Sequence, residues 1–166
     1  MSPTGGAPEA PARPMTRAED KHMPRMIFVN LPVSDLDATT RFYEGIGCVK
    51  NQQFSDEKAV SMVWSDTIYF MLLKQDFFAT FTPRPVANAR GASEVLVALS
   101  LENREAVDAF VDAAWSSGGR VDIRPAQELG FMYSRSVEDP DGHIFEAFWM
   151  DPSAVEGPAG AEPAHA

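Results

Sequence analysis

Residues 26–47, MIFVNLPVSDLDATTRFYEGIG, and residues 94–119, EVLVALSLENREAVDAFVDAAWSSGG, are two versions of one pattern. Each opens on a short apolar run, passes through a polar break suited to capping a helix, and continues with apolar residues at helical spacing until glycine stops it. In the first, Ser34 or Asp35 is placed to cap, Leu36, Phe42, Tyr43 and Ile46 form the stripe, and Gly45 or Gly47 ends it. In the second the stripe is Ala106, Val107, Phe110, Val111 and Ala114, and Gly118-Gly119 is the stop. A constant spacing of 68 residues carries Phe28 onto Leu96, Leu31 onto Leu99 and Phe42 onto Phe110.

The segments C-terminal to the two helices repeat as well. After the first helix come the strand candidates KNQQF (50–54), KAVSMVW (58–64) and TIYFMLLK (67–74), separated by turn-like SDE and SD. After the second come GRVDIRPAQ (119–127), GFMYSRSVED (130–139) and HIFEAFWM (143–150). For the last strands the spacing is 75, which carries Met71 onto Glu146. Each half is thus strand, helix and three strands. A lone βαβββ unit leaves a sheet face uncovered and its edges open, so two copies are expected to pair. The expectation is an α+β fold with two paired βαβββ modules, curved sheets and a cleft.

The modules take residues 26–74 and 94–151, within a single domain over 26–151; residues 75–93 link them, residues 1–25 form a leader and residues 152–166 a tail. The leader and tail are rich in Pro, Ala and Gly and poor in large apolar residues, so they are expected to be disordered. Because Met23 opens the compact part, a start there is compatible with the pattern as well. Neither end carries the apolar stretch of a signal peptide or membrane anchor. The linker places Phe77, Phe78 and Phe81 at the spacing of a short amphipathic helix, to cap the core, meet a second subunit or seal the cleft.

The 166 residues, 45% of them hydrophobic, suit one globular domain. A formal net charge of −10 and no clustered Lys or Arg argue against nucleic acid and anionic membrane surfaces as partners. One cysteine, Cys48, permits no internal disulfide and suits a reducing cytoplasm or a fold that needs no staple. His22 and His165 fall in the terminal segments, which leaves His143 alone in the core and excludes a multi-histidine metal site by count.

Glu146 is the isolated charge in an aromatic strand, DPDGHIFEAFWM (139–150). A strand's period of two puts it on one face with Ile144, Phe148 and Met150. Burying it requires a partner: Asn30, Tyr133, water or, most simply, Arg135 as counter-ion. Tyr133 and Arg135 share a face of the preceding strand. Asp139, Asp141 and Gly142 read as turn residues, and His143, three residues from Glu146 and so on the other face, reads as a structural partner for that turn.

FVNLPVSDLDATTRFYEGIGC, together with the late DPDGHIFEAFW, resembles the vicinal oxygen chelate superfamily of glyoxalase I, bleomycin-resistance proteins and extradiol dioxygenases. NQQFSDEKAVSMVWSDTIYFMLL, FFATFTP and GFMYSRSVEDPDGH are similar to a bacterial branch labelled lactoylglutathione lyase-like. The resemblance spans about residues 26–151. It implies four equivalent metal-ligand positions, two per module, which fall here on Phe28, Leu96, Met71 and Glu146. Phe28 and Leu96 have no donor atom and the Met71 thioether is soft, so the set departs from the family's pattern.

The expectation is therefore a homodimeric protein that binds a small, partly hydrophobic molecule in a cleft lined by Phe28, Asn30, Met71, Leu96, Tyr133, Arg135, Glu146 and Phe148, with no cofactor and no catalytic metal. The rival is a lyase or dioxygenase that keeps a divalent metal through Glu146, or a metal-free enzyme using Glu146 as general base.

Overall fold

The computed structural model describes residues 24–155, so the leader up to residue 23, the tail from residue 156, His22 and His165 lie outside the described residues. Strand β1 (Ile27–Val33) leads into helix α1 (Leu36–Gly45), whose first turn is capped where the Ala38 N–H donates to the Asp35 carboxylate at 2.9 Å. The helix stops at Gly47, whose φ of +104° is a conformation that glycine adopts without a Cβ penalty. Strands β2 (Val49–Asn51), β3 (Ala59–Ser65) and β4 (Ile68–Lys74) complete the module. β1 runs parallel to β4, which pairs antiparallel with β3, giving the order β1-β4-β3-β2.

The second module repeats this topology. After the short helix α2 (Gln75–Phe78) in the linker come β5 (Val97–Ser100) and α3 (Arg104–Ser116), the latter capped by the Ala106 N–H donating to the Asn103 side chain. Strands β6 (Arg120–Val121), β7 (Gln127–Glu128), β8 (Met132–Glu138) and β9 (Ile144–Met150) come next, before a last turn of helix, α4 (Pro152–Val155). β5 runs parallel to β9, in the order β5-β9-β8-β6, and β7 also pairs with β8. The two-module α+β architecture expected from the repeat is present. No helix among the described residues is long and apolar enough to cross a membrane.

Three strands are shorter than their sequence patterns. Residues 52–54 wind into a 3-10 turn because the Gln53 N–H donates to the Asn51 side chain, so the strand expected over 50–54 ends at Asn51. The run expected over 119–127 is split into β6 and β7: Asp122 sits at φ +50° and Pro125 has no N–H to give a ladder. β5 begins at Val97, leaving Glu94–Leu96 outside the ladder.

Strand alternation sorts the side chains. Leu31, Val33, Val60, Met62, Phe70 and Leu72 of the first sheet, and Leu99, Val137, Phe145 and Ala147 of the second, lie on the helix-bearing faces and are all buried. Those two faces meet in one core. The Phe70 and Phe145 rings lie 5.5 Å apart edge to face, Tyr43 touches both, and Trp64 meets Phe110 across the same seam. The opposite faces, which carry Phe28, Asn30 and Met71 on one sheet and Glu146 and Phe148 on the other, are left outside this core.

The turn between β8 and β9 ties the modules together. Asp141 accepts from the Ser34 N–H at 2.8 Å, the Ser34 hydroxyl at 2.6 Å and the Thr39 hydroxyl at 2.8 Å. This sets a carboxylate of the second module at the N-terminal end of α1, where the helix dipole favours negative charge.

Burial makes two groups of this core sensitive to alkali. The Cys48 thiol is pushed up from 9.0 to about 12 by desolvation, and the Tyr43 phenol is pushed well above its usual value by burial and then by the Asp139 charge beside it. Both ionise more readily unfolded than folded. Their contribution to stability is therefore complete below about pH 9 and is lost as pH rises toward 12. Urea melts at pH 8, 9.5 and 11 are expected to show a falling midpoint that Cys48→Ala flattens; an unchanged alkaline limb in that variant would sink this assignment.

Candidate functional site

On the outer face of the first sheet, Phe28 lies opposite Tyr69 and Asn30 opposite Met71 in the β1–β4 register. The Phe28 and Tyr69 rings stack at 4.8 Å, yet Phe28 remains 49% exposed. On the outer face of the second sheet, Glu146 lies between Ala98 of β5 and Ser136 of β8, and Phe148 between Ser100 and Ser134. Leu96, just before β5 and in step with Ala98, belongs to the same face and is 51% exposed. Within one chain, Phe28, Asn30 and Met71 are thus on a different sheet face from Leu96, Glu146 and Phe148, although all were expected to line a common cleft.

Glu146 has a partner that the sequence did not suggest. Arg124, in the segment between β6 and β7, places its guanidinium on the Glu146 carboxylate and within 3.5 Å of the Ser134 hydroxyl. Its backbone N–H donates to the Ser136 hydroxyl at 3.3 Å, which holds the segment against β8. Pro125 and the Asp122 kink let Arg124 leave the ladder and cross the outer face. The signal available in the sequence was the Arg-Pro pair inside an otherwise strand-like run.

Tyr133 and Arg135 require a correction. They do share a face, but it is the helix-bearing one: Arg135 lies opposite Ala147, one step away from Glu146, whose own register partner is Ser136. Arg135 donates to Asp108 at 2.8 Å and to Asp122 at 2.6 and 3.0 Å, and the Tyr133 hydroxyl donates to Asp108 at 2.9 Å. These bonds hold the Asp122 carboxyl below its usual value, chiefly through Arg135. Neither residue faces Glu146, and Arg135 is not its counter-ion.

The donor set does not fit a catalytic divalent ion. Of the four positions the resemblance implies, Phe28 and Leu96 offer no lone pair, Met71 offers only a thioether, and the single carboxylate is engaged by a guanidinium. Among the described residues no three His, Cys, Asp or Glu side chains come together in a way that could hold a metal.

A separate groove of about 360 Å³ lies at the module seam, between β1, the start of β9 and the linker. Asn30 reaches it, as do Pro32, Val97, His143 and Ile144, whereas Glu146 does not line it. His143 stands as expected beside the DPDG turn: its Nδ1 lies 2.8 Å from the Asp139 carboxylate, which also accepts the His143 N–H at 2.9 Å.

The chain matches the family model described as Glyoxalase/Bleomycin resistance protein/Dioxygenase superfamily over residues 25–147. No curated protein matches the sequence. Among solved structures, the hypothetical protein SA1046 from S. aureus is similar, with TM-score 0.64 and 25% identity over 77% of this chain and 95% of that one. A glyoxalase-related enzyme from Fulvimarina pelagi has TM-score 0.64 and 21% identity, covering 76% of this chain and 88% of its own. TnmS3, an antibiotic binding protein from Streptomyces sp. CB03234, has TM-score 0.54 and 17% identity, covering 77% and 97%. Two βαβββ modules and a family match across nearly the whole described region make this chain a member of the glyoxalase/bleomycin resistance protein/dioxygenase superfamily.

Proposed function

We propose that this protein binds a small, partly hydrophobic molecule against the Glu146-bearing face, without a catalytic metal, and that it works as a cytoplasmic homodimer. The observation that carries this reading is the Arg124–Glu146 pair. A guanidinium stands where a metal-dependent relative needs a free carboxylate, beside Ala98 and with the apolar Leu96 and Phe148 flanking it. Such a face offers apolar contact with one fixed polar anchor, the usual composition of a binding site. TnmS3 shares the fold and is described as antibiotic-binding, which supports a small molecule as the ligand.

A second copy completes the cleft in this reading. β1 and β5 are edge strands, and Ile27, Phe28 and Leu96 are 60%, 49% and 51% exposed beside those edges. Setting the β1 edge of one copy against the β5 edge of another brings the Phe28–Met71 face opposite the Leu96–Glu146 face. Each dimer then has two clefts.

Two measurements test the proposal. Metal analysis of the purified protein is expected to find no near-stoichiometric divalent ion, and the methylglyoxal–glutathione hemithioacetal is expected to pass unchanged; stoichiometric metal that Glu146→Ala removes would overturn the reading in favour of a lyase or dioxygenase. Calorimetric titration with small aromatic antibiotics is expected to give saturable binding that Glu146→Ala weakens. Because both partners are about a third exposed or less, Arg124→Ala should cost only about 1 kcal/mol in urea melts, and removing both residues should cost less than the two single changes summed.

A further inference from the structure

The groove at the module seam contains a polar group that neither the core nor the Glu146 face employs. Asp139 is buried, and all its acceptor capacity is met: Oδ1 takes the backbone N–H groups of Asp141 and His143, each at 2.9 Å, while Oδ2 takes the Tyr43 hydroxyl at 3.2 Å and faces His143 Nδ1 at 2.8 Å. Tyr43 is fully buried and its ionisation is suppressed, so it stands beside Asp139 as a donor. A carboxylate already receiving three protons can only accept the fourth contact as well. Nδ1 therefore carries the imidazole hydrogen, and in the neutral ring Nε2 presents a lone pair.

That lone pair has somewhere to act. No second partner for the His143 ring is found among the described residues, no side-chain nitrogen or oxygen among them is both buried and unpaired, and His143 lines the groove. Nε2 is thus accessible from the groove side. Pro32, Phe78, Val86, Val95, Val97 and Ile144 supply apolar walls around it. Arg84 and Glu94 both stand exposed at this groove, so ionic preference is balanced there. The volume, about 360 Å³, falls at the small end of the range of roughly 300–1,000 Å³ typical of ligand sites.

We infer that this groove, which Glu146 does not line, is a second ligand site that takes a small aromatic alcohol of the phenol class: the ring lies against the apolar walls and the hydroxyl donates to His143 Nε2. A phenol matches the site because it has one strong donor on a flat apolar body. A carboxylate would bring its charge to within one imidazole of Asp139 and would offer an acceptor to an acceptor.

The test uses 2-naphthol on the full chain, with naphthalene as the analogue lacking the donor. Titration calorimetry is expected to show 1:1 binding of 2-naphthol, with naphthalene weaker by about fivefold to tenfold. The 15N resonance of His143 Nε2 should shift on titration. Ala92→Trp fills the groove from an exposed linker position, and His143→Leu removes the ring acceptor while keeping an apolar side chain of similar size. Each is expected to weaken 2-naphthol about tenfold or more, whereas Glu146→Ala leaves it unchanged. The inference is overturned if 2-naphthol shows no saturable binding, if either groove variant binds it as the parent does, or if Glu146→Ala alone abolishes it. That last result would assign the ligand to the outer face, and failure of the groove leaves the reading of the Glu146 face standing.

Discussion

Phe145→Ala is expected to lower stability by about 4 kcal/mol and to do so in a single unfolding transition. The ring is completely buried and lies at the junction of the two modules, 5.5 Å from Phe70 of the first sheet and 6.0 Å from Tyr43 of α1. Truncation removes its transfer free energy and leaves a cavity between two sheets whose backbones are locked by their own ladders, so the site has little freedom to collapse. For a domain of this size the loss corresponds to a fall of roughly 15 °C in Tm. Phe81→Ala provides the contrast: that ring is 66% exposed and packs edge-on against Phe77, so its removal should stay within about 0.5 kcal/mol. Differential scanning calorimetry distinguishes the outcomes. Two resolved transitions in Phe145→Ala, with one unmoved from the parent, would show that each module folds independently and that the shared core is not what holds them.

The repeat was legible because it rests on properties that a linear sequence displays directly. Period two in the strands, period 3.6 in the helices and a spacing of 68 residues are enough to place Leu31 with Leu99 and Phe42 with Phe110, and all four are buried. The DPDG turn and its His143 partner were legible for a similar reason, since their contacts span four residues or fewer.

Cross-strand chemistry was not. Which residue of β8 faces Glu146 depends on register, and a shift of one residue moves Arg135 from the outer face to the helix side, where Asp108 and Asp122 hold it. Arg124 was missed because its run reads as a strand, and the break at Asp122 and Pro125 that redirects it is a backbone event. The seam groove was hidden for a different reason. Its walls come from β1, the start of β9 and the linker, and no periodic pattern sets where a linker lies.

Asp139 carries the second large effect, and its two substitutions separate stability from site chemistry. Asp139→Ala leaves a buried phenol, two backbone N–H groups and an imidazole without their acceptor, in the turn whose neighbour Asp141 clamps Ser34 and Thr39 of the first module. The expected loss is about 3–5 kcal/mol in urea melts, which is the scale of orphaning several buried donors at once. Asp139→Asn should cost far less, roughly 1–2 kcal/mol. Its amide oxygen can still accept the two backbone N–H groups, while the amide nitrogen now faces Tyr43 and His143 as a donor. His143 Nδ1 must then become the acceptor, so the ring hydrogen moves to Nε2. The predicted signature is an exchange of the 15N shifts of the two His143 ring nitrogens, in a protein that still melts cooperatively. In that variant the groove presents a donor where the parent presents a lone pair; the naphthol oxygen can accept from it, but a phenol accepts more weakly than it donates, so 2-naphthol should bind severalfold more weakly. An unchanged tautomer in Asp139→Asn would mean that Asp139 does not set the hydrogen on Nδ1, and an Nε2 shift that naphthol leaves unmoved in both proteins would remove His143 from the ligand's contacts.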